Sequence, residues 1–190
     1  INNVSWNSDF QFTAKIIVHP ITGDIYTASN AVGIFRSTDG GANFTLSLGG
    51  INEHIWSDIA VTSNGTLIAA ISSPFQNATP KNTPGIYKSS DGVNWTNITP
   101  SNFPQFHLRT VFGVSAANPN MVYTFTFTGQ VNNQTQREGI KFYKINIVNG
   151  SFEDRSVNMP DFGNDGFINT QRSYNMVVAV KPDDENFVMI

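Results

Sequence analysis

The sequence contains no cysteine, which excludes disulfide staples and thiolate metal sites and removes redox chemistry as a guide to compartment. Charge is scarce as well: 13% of the 190 residues are charged, 11 basic against 14 acidic, for a formal charge of -3. No basic cluster interrupts that balance, so the sustained positive field that nucleic acid or anionic lipid demands is missing. No apolar run approaches the roughly 20 residues of a membrane-spanning helix, and Ile1-Asn2-Asn3 has neither the positive nor the apolar region of a signal peptide. These absences leave the expectation of one compact domain over residues 1–190, with no nucleic-acid partner and no membrane span.

Helix formers are sparse, whereas 15 phenylalanines, 15 glycines and a heavy load of Asn, Ser and Thr favour strands and turns. An all-β fold is expected. Eight Asn-x-Ser/Thr triplets occur, at Asn3, Asn43, Asn64, Asn77, Asn94, Asn97, Asn133 and Asn149. They accept glycans only in a eukaryotic secretory pathway, and an Asn- and Thr-rich surface also generates them by chance.

No segment sustains a helical apolar period, but the chain repeats itself. Gly33-Ile34-Phe35-Arg36-Ser37-Thr38-Asp39-Gly40-Gly41-Ala42-Asn43-Phe44-Thr45 aligns with Gly85-Ile86-Tyr87-Lys88-Ser89-Ser90-Asp91-Gly92-Val93-Asn94-Trp95-Thr96 across one gap. A third copy, Gly139-Ile140-Lys141-Phe142-Tyr143-Lys144, keeps the strand and offers Asn146 to Gly150 in place of the turn. Two further strands precede each copy: Lys15–His19 and Ile25–Ala28, then Asp58–Val61 and Leu67–Ile71, then Thr110–Val114 and Met121–Phe127. A fourth unit opens with Met176–Val180, a turn over Pro182–Asn186, and Phe187–Ile190, and Asn3–Trp6 reads as a strand from a preceding unit. Four short strands, A to D, at a period of roughly 40 to 65 residues describe propeller blades. The expected blades cover residues 15–48, 57–99, 109–156 and the start of a fourth at 175–190.

In the repeated turn Asp39 can accept backbone N–H groups a few residues on, Gly40 and Gly41 permit positive φ, and the Ser37 hydroxyl can close the strand end. Phe44 and Trp95, opening strand D, are expected to pack between adjacent sheets.

Ser37-Thr38-Asp39-Gly40-Gly41-Ala42-Asn43-Phe44 and Ser89-Ser90-Asp91-Gly92-Val93-Asn94-Trp95 resemble the Asp-box, or BNR, repeat, S-x-D-x-G-x-x-W/F. The first fits in full; the second is one residue short between Asp91 and Trp95, so its turn must differ in detail. The resemblance is to sialidase-like and xyloglucanase-like propellers of the glycoside hydrolase family 74 and sortilin type. It implies a β-propeller segment of about three complete blades plus partial blades, with Ser37, Asp39, Gly41, Phe44, Ser89, Asp91 and Trp95 as structural box residues. It also implies a secreted or cell-surface setting. Such a segment needs the rest of a propeller, in the same chain or a partner, because known rings use about four to eight blades.

If the boxes join strands C and D at one end, the B-to-C and D-to-A loops gather at the other. Those loops carry His54, Trp56, Asp58, Phe106, His107, Arg109, Arg137, Glu138, Asp165, Arg172 and Tyr174. Aromatic rings mixed with a few charges suit a glycan or protein ligand, with Trp56, His107, Arg109, Arg172 and Tyr174 as candidate binding residues. A sialidase would need three arginines clamping a carboxylate, for which Arg109, Arg137 and Arg172 are candidates, but the Phe/Tyr-Arg-Ile-Pro string ahead of the first box is missing. A glycoside hydrolase of the xyloglucanase kind would need two carboxylates across a cleft, and Asp58 and Asp165 are the loop acids to consider. Asp58 also reads as a strand-start residue bonding its own turn, and Glu138 as a solvated ion pair with Arg137. His19, His54 and His107 lack ligand-spaced partners, so no metal or cofactor is expected, and His19, at a strand end, reads as a residue that packs or bonds backbone. The preferred reading is a non-catalytic binding module; the alternative is a fragment of a glycoside hydrolase.

Overall fold

The computed structural model describes residues 10, 12–50, 53–74, 82–132, 138–159 and 168–190. The strand expected at Asn3–Trp6 and the loop residues Arg137 and Asp165 lie outside them. The chain divides into two compact units, residues 1–99 and 100–190.

The first unit holds two four-stranded antiparallel sheets. One is built from β1 (Thr13–Val18), β2 (Ile25–Ser29), β3 (Gly33–Ser37) and β4 (Thr45–Gly49), the other from β5 (Ser57–Val61), β6 (Leu67–Ile71), β7 (Gly85–Ser89) and β8 (Thr96–Asn97). In both, each strand pairs with its sequence neighbour, the up-and-down meander of a propeller blade. Alternation along the strands places Tyr26, Ala28, Ile34 and Leu48 of one sheet in a single apolar cluster with Ile59, Leu67, Ala69, Ile71 and Tyr87 of the other. Ile34, Ile59, Leu67 and Ile71 are fully buried, each contributing about 2 kcal/mol through removal of its side chain from water.

Polar groups fasten the same two sheets. Nδ1 of His19 accepts from the amides of Ile21 and Thr22 at 3.3 and 3.2 Å, so the proton sits on Nε2, which donates to the Gly65 carbonyl at 2.7 Å. The backbone hydrogen bond expected as one role of His19 is thus present, and it ties the two A-to-B turns. Arg36 reaches back across its own sheet to the Asp24 carboxylate, at 2.9 Å from Nε and 2.6 Å from Nη2, and its guanidinium lies 5.9 Å from the centre of the Tyr26 ring.

Both aspartate turns use the same chemistry with different spacing. The Ser37 hydroxyl donates to Asp39 at 2.8 Å and accepts from the Gly41 amide at 2.9 Å, while Asp39 accepts the Asn43 amide at 2.9 Å and its side-chain NH2 at 2.7 Å. In the shorter turn the Ser89 hydroxyl accepts the Gly92 amide at 2.8 Å and Asp91 takes the backbone and side chain of Asn94, each at 2.8 Å. The missing residue is absorbed by moving each bond one position closer to its acceptor, with the serine and aspartate still the anchors of the turn. Gly92 has φ 67° and lies against Tyr26, so a Cβ there would strike the phenol oxygen.

The second unit holds one four-stranded sheet of β9 (Thr110–Val114), β10 (Met121–Val131), β11 (Glu138–Asn146) and β12 (Phe152–Asp154), and a hairpin of β13 (Ala179–Lys181) and β14 (Asp184–Met189). β10 and β11 run longer than the repeat predicts, continuing past a register shift between Phe127 and Val131. At the hairpin the predicted turn over 182–186 narrows to Pro182 and Asp183, because Lys181 pairs directly with Asp184. Val111, Tyr123, Phe125, Phe142 and Val178 form this unit's core. Lys144, 6% exposed, is satisfied by Asn186 Oδ1 at 2.9 Å and Glu185 Oε1 at 3.3 Å. It sits 5.8 Å from the Tyr123 ring centre, the same strand-C cation on strand-B tyrosine as Arg36 on Tyr26. Where the box is absent, Asn146 Oδ1 accepts the amides of Val148 and Asn149 at 2.9 and 3.3 Å, a neutral counterpart of the aspartate turn.

Candidate functional site

In the second unit the meander puts the end of β10, the start of β11 and the entry to β9 at one end of the sheet, and the Asn146 turn at the other. At the first end residues 168–178 form a loop whose central Gln171, Arg172 and Ser173 all have positive φ, at 51, 58 and 83°. Three successive non-glycine residues in the left-handed region cost of order 1 kcal/mol or more each, so the loop persists only because its surroundings hold it.

Glu138 is the main holder. Its Oε2 accepts the Thr170 amide at 2.7 Å and also the Thr170 hydroxyl, and its Oε1 accepts the Arg172 amide at 2.6 Å. The Thr170 hydroxyl accepts the Ser173 amide at 2.9 Å, and Asn169 Oδ1 the Gln171 amide at 2.8 Å. Every N–H of the left-handed turn is thus met by a side-chain oxygen. From the other side Arg109 Nη1 donates to the carbonyls of Ser173 and Tyr174 at 3.0 and 2.9 Å. A carboxylate on the amides and a guanidinium on the carbonyls hold the loop at both poles of its peptide dipoles.

The result is a shaped surface. A cavity of about 350 Å³ is lined by Val131, Glu138, Asn169, Gln171 and Arg172. Arg172 is exposed, and the Tyr174 side chain stands 74% exposed two residues further on. Phe106, 54% exposed, lies over Gly129 of β10. A cavity of this size lined by polar side chains is within the range of small-ligand sites.

Of the residues expected at a binding surface, Arg109, Arg172 and Tyr174 come together here. Arg109 does so as a brace for the loop, and Arg172 and Tyr174 as its exposed side chains. His107 belongs to the same unit but is 1% exposed, its ring edge-on to Phe103 at 4.9 Å and its Nδ1 3.3 Å from the Pro104 carbonyl. It is packed inside and does not reach the surface. Trp56 and Asp58 lie in the first unit. The backbone of Trp56 is pinned to Ser72, amide to hydroxyl at 2.8 Å and carbonyl from the Ser72 amide at 3.0 Å. Asp58 is 5% exposed, 3.0 Å from the Lys15 ammonium and bonded to the amide of Ile59 at 2.6 Å. Sequence reading gave Glu138 no part in the loop, since its partners follow it by 32 and 34 residues and no local pattern announces them.

The first unit has a cavity of its own, about 290 Å³, lined by Leu46, Ser47, Leu48, Gly49, Asn82, Val93 and Trp95. It carries no charged side chain. His54 is fully buried, donates from Nδ1 to the Ser72 carbonyl at 2.8 Å, and keeps an Nε2 with no hydrogen-bond partner. Burial pushes its pKa down from 6.5. No group of three or more His, Cys, Asp or Glu residues suited to a metal occurs among the described residues, and no helix among them is long and apolar enough to cross a membrane.

No protein-family model matches the sequence, and no curated protein matches it. Solved structures do. A GH74 enzyme of Niastella koreensis is similar over 74% of this chain and 22% of its own, at 23% identity and a TM-score of 0.52. The GH74 xyloglucanase of Xanthomonas campestris is similar over 96% of this chain and 27% of its own, at 14% identity and a TM-score of 0.52. With three four-stranded meanders and a two-stranded hairpin, the chain is an all-β propeller segment that matches part of a GH74 β-propeller, spanning about a quarter of the length of those proteins.

Proposed function

We propose that this segment is a non-catalytic binding module of a secreted or cell-surface propeller and that it holds a glycan at the loop-bearing end of its second unit. The observation that carries this reading is the left-handed turn at 171–173, held by Glu138 and Arg109, which presents Arg172 at the cavity and is followed by the exposed Tyr174. Strain concentrated in a braced, exposed loop is a feature of recognition sites, and a ring next to a polar cavity is how proteins bind sugars. The remaining blades would come from the same protein or from a partner. Glycan binding by the full chain, measured calorimetrically for the wild type and for Tyr174→Ala and Arg172→Ala, tests the reading. Loss of about tenfold or more in either variant supports it; undiminished binding moves the site elsewhere, with Trp56 of the first unit the next candidate.

A second reading is a segment of a glycoside hydrolase acting on polysaccharide, favoured by the fact that both similar structures are GH74 proteins, one of them a xyloglucanase. Here Asp58 and Asp165 are the candidate carboxylates. Turnover of a β-glucan by the full-length parent protein, abolished by Asp58→Asn or Asp165→Asn, would replace the binding-module reading with this one.

A further inference from the structure

The hydrogen-bonding groups that Glu138 and its neighbours leave for a ligand are unequal in kind, and this deepens the glycan reading, on which it rests. The Glu138 carboxylate is the one acidic group lining the cavity among the described residues, and both of its oxygens are already occupied by three donors of the 170–172 turn. Asn169 lines the cavity, its Oδ1 accepts the Gln171 amide, and its NH2 group supplies two donors. Arg172 is exposed and has no carboxylate within salt-bridge distance among the described residues. Its guanidinium supplies five donors and no acceptor. The lining therefore offers the Asn169 NH2 group and the Arg172 guanidinium as donors, with the Gln171 side-chain amide able to donate or accept and the Glu138 charge already shared among three donors, whereas a site for a neutral sugar, whose hydroxyls both donate and accept, would keep carboxylate oxygens open.

We infer that the cavity takes an acidic saccharide, a glycan bearing uronate carboxylates. The planar carboxylate lies on the Arg172 fork and the Asn169 amide, and a sugar face rests on Tyr174. The flat, two-oxygen shape of a carboxylate matches a guanidinium in two parallel hydrogen bonds.

The test titrates the full chain with tetragalacturonate and with its carboxyl-reduced, neutral counterpart. The acidic oligosaccharide is expected to bind at least about tenfold tighter, as a charge-assisted pair provides, and the advantage is expected to shrink as ionic strength rises. Arg172→Gln removes the advantage and brings the acidic ligand to the affinity of the neutral one; Arg172→Lys, which keeps the charge and loses the fork, falls between. Unchanged thermal unfolding of these variants shows that the turn is intact. Equal binding of the two oligosaccharides, an Arg172→Gln variant that weakens both alike, or tighter binding of a sulfated oligosaccharide overturns the acidic assignment and leaves the glycan reading standing. Binding of no saccharide of either kind, nor of neutral β-glucan oligosaccharides, overturns both.

Discussion

The indole N–H of Trp95 donates to the Ser47 hydroxyl at 2.9 Å, and that hydroxyl donates onward to the Gly92 carbonyl at 2.7 Å. The second aspartate turn is thereby fastened to the outer strand of the sheet that precedes it, and Trp95 also packs against the apolar cluster shared by the two sheets. Ser47→Ala should cost about 1 kcal/mol by breaking this relay, and Trp95→Ala about 2 kcal/mol or more by also removing packed area. In urea unfolding followed by circular dichroism, the double variant should be less destabilised than the sum of the single ones, because both remove the same bond.

Two glycines in equivalent aspartate turns should respond differently to the same change. Gly40 has φ 75° with nothing near the position of a Cβ, whereas Gly92 has φ 67° and Tyr26 in the way. Gly40→Ala should cost about 1 kcal/mol, the strain of an L-residue in the left-handed region. Gly92→Ala adds displacement of a buried ring and should cost about 2 to 3 kcal/mol. Thermal unfolding of the two variants side by side measures the difference, and equal losses would argue against the docking of the second turn on Tyr26.

Acid should act on the first unit in two steps. Burial lowers the pKa of His54 below 6.5, so in the native state it stays neutral where the unfolded chain binds a proton. Stability is then full above that unfolded value and declines as pH falls through it, since the unfolded state binds more protons. His54→Gln, which can still donate to Ser72, should flatten the decline seen between pH 7.5 and 5 in thermal melts.

The second step belongs to Asp39. The backbone and side chain of Asn43 and the Ser37 hydroxyl hold its carboxyl down to about 2, from 3.8. Its contribution is complete above 3.8 and is lost as pH falls from there toward 2. Asp91 is lowered in the same way, first by the side chain and then by the backbone of Asn94. Asp39→Asn should remove part of the stability lost in this acid range, read as a smaller change of unfolding midpoint between pH 5 and 2.5.

What the sequence disclosed and what it hid divide along the range of the interactions. Asp39, Asp91 and Asn146 bond backbone within four residues of themselves, so their turns are written in local strings. The strands were legible for the same reason, since Tyr26, Ala28 and their partners alternate with period two. The brace at Glu138 was not, because its partners lie 32 and 34 residues on and are ordinary Thr and Arg. The left-handed run was equally hidden: Gln171, Arg172 and Ser173 have no intrinsic preference for positive φ. His107 looked like a surface residue, and its burial comes from packing on Phe103, a ring four positions earlier.

Glu138 should set the order of the loop it holds. Glu138→Ala removes the acceptors of the Thr170 and Arg172 amides, and those two amides should exchange with solvent about tenfold or more faster. Glu138→Gln, which keeps one acceptor oxygen, should show a smaller rise. Amides of β11 remote from the loop, such as that of Phe142, which donates to the Ser156 hydroxyl at 3.0 Å, should be unaffected in both variants.

The most direct measurement is backbone-amide NMR of the isotope-labelled full chain during titration with an acidic oligosaccharide. The account predicts shift changes confined to residues 169–174, Arg109 and Glu138, with none in the aspartate turns at 37–45 and 89–95. Shift changes centred on those turns, or none anywhere at millimolar ligand, would contradict it.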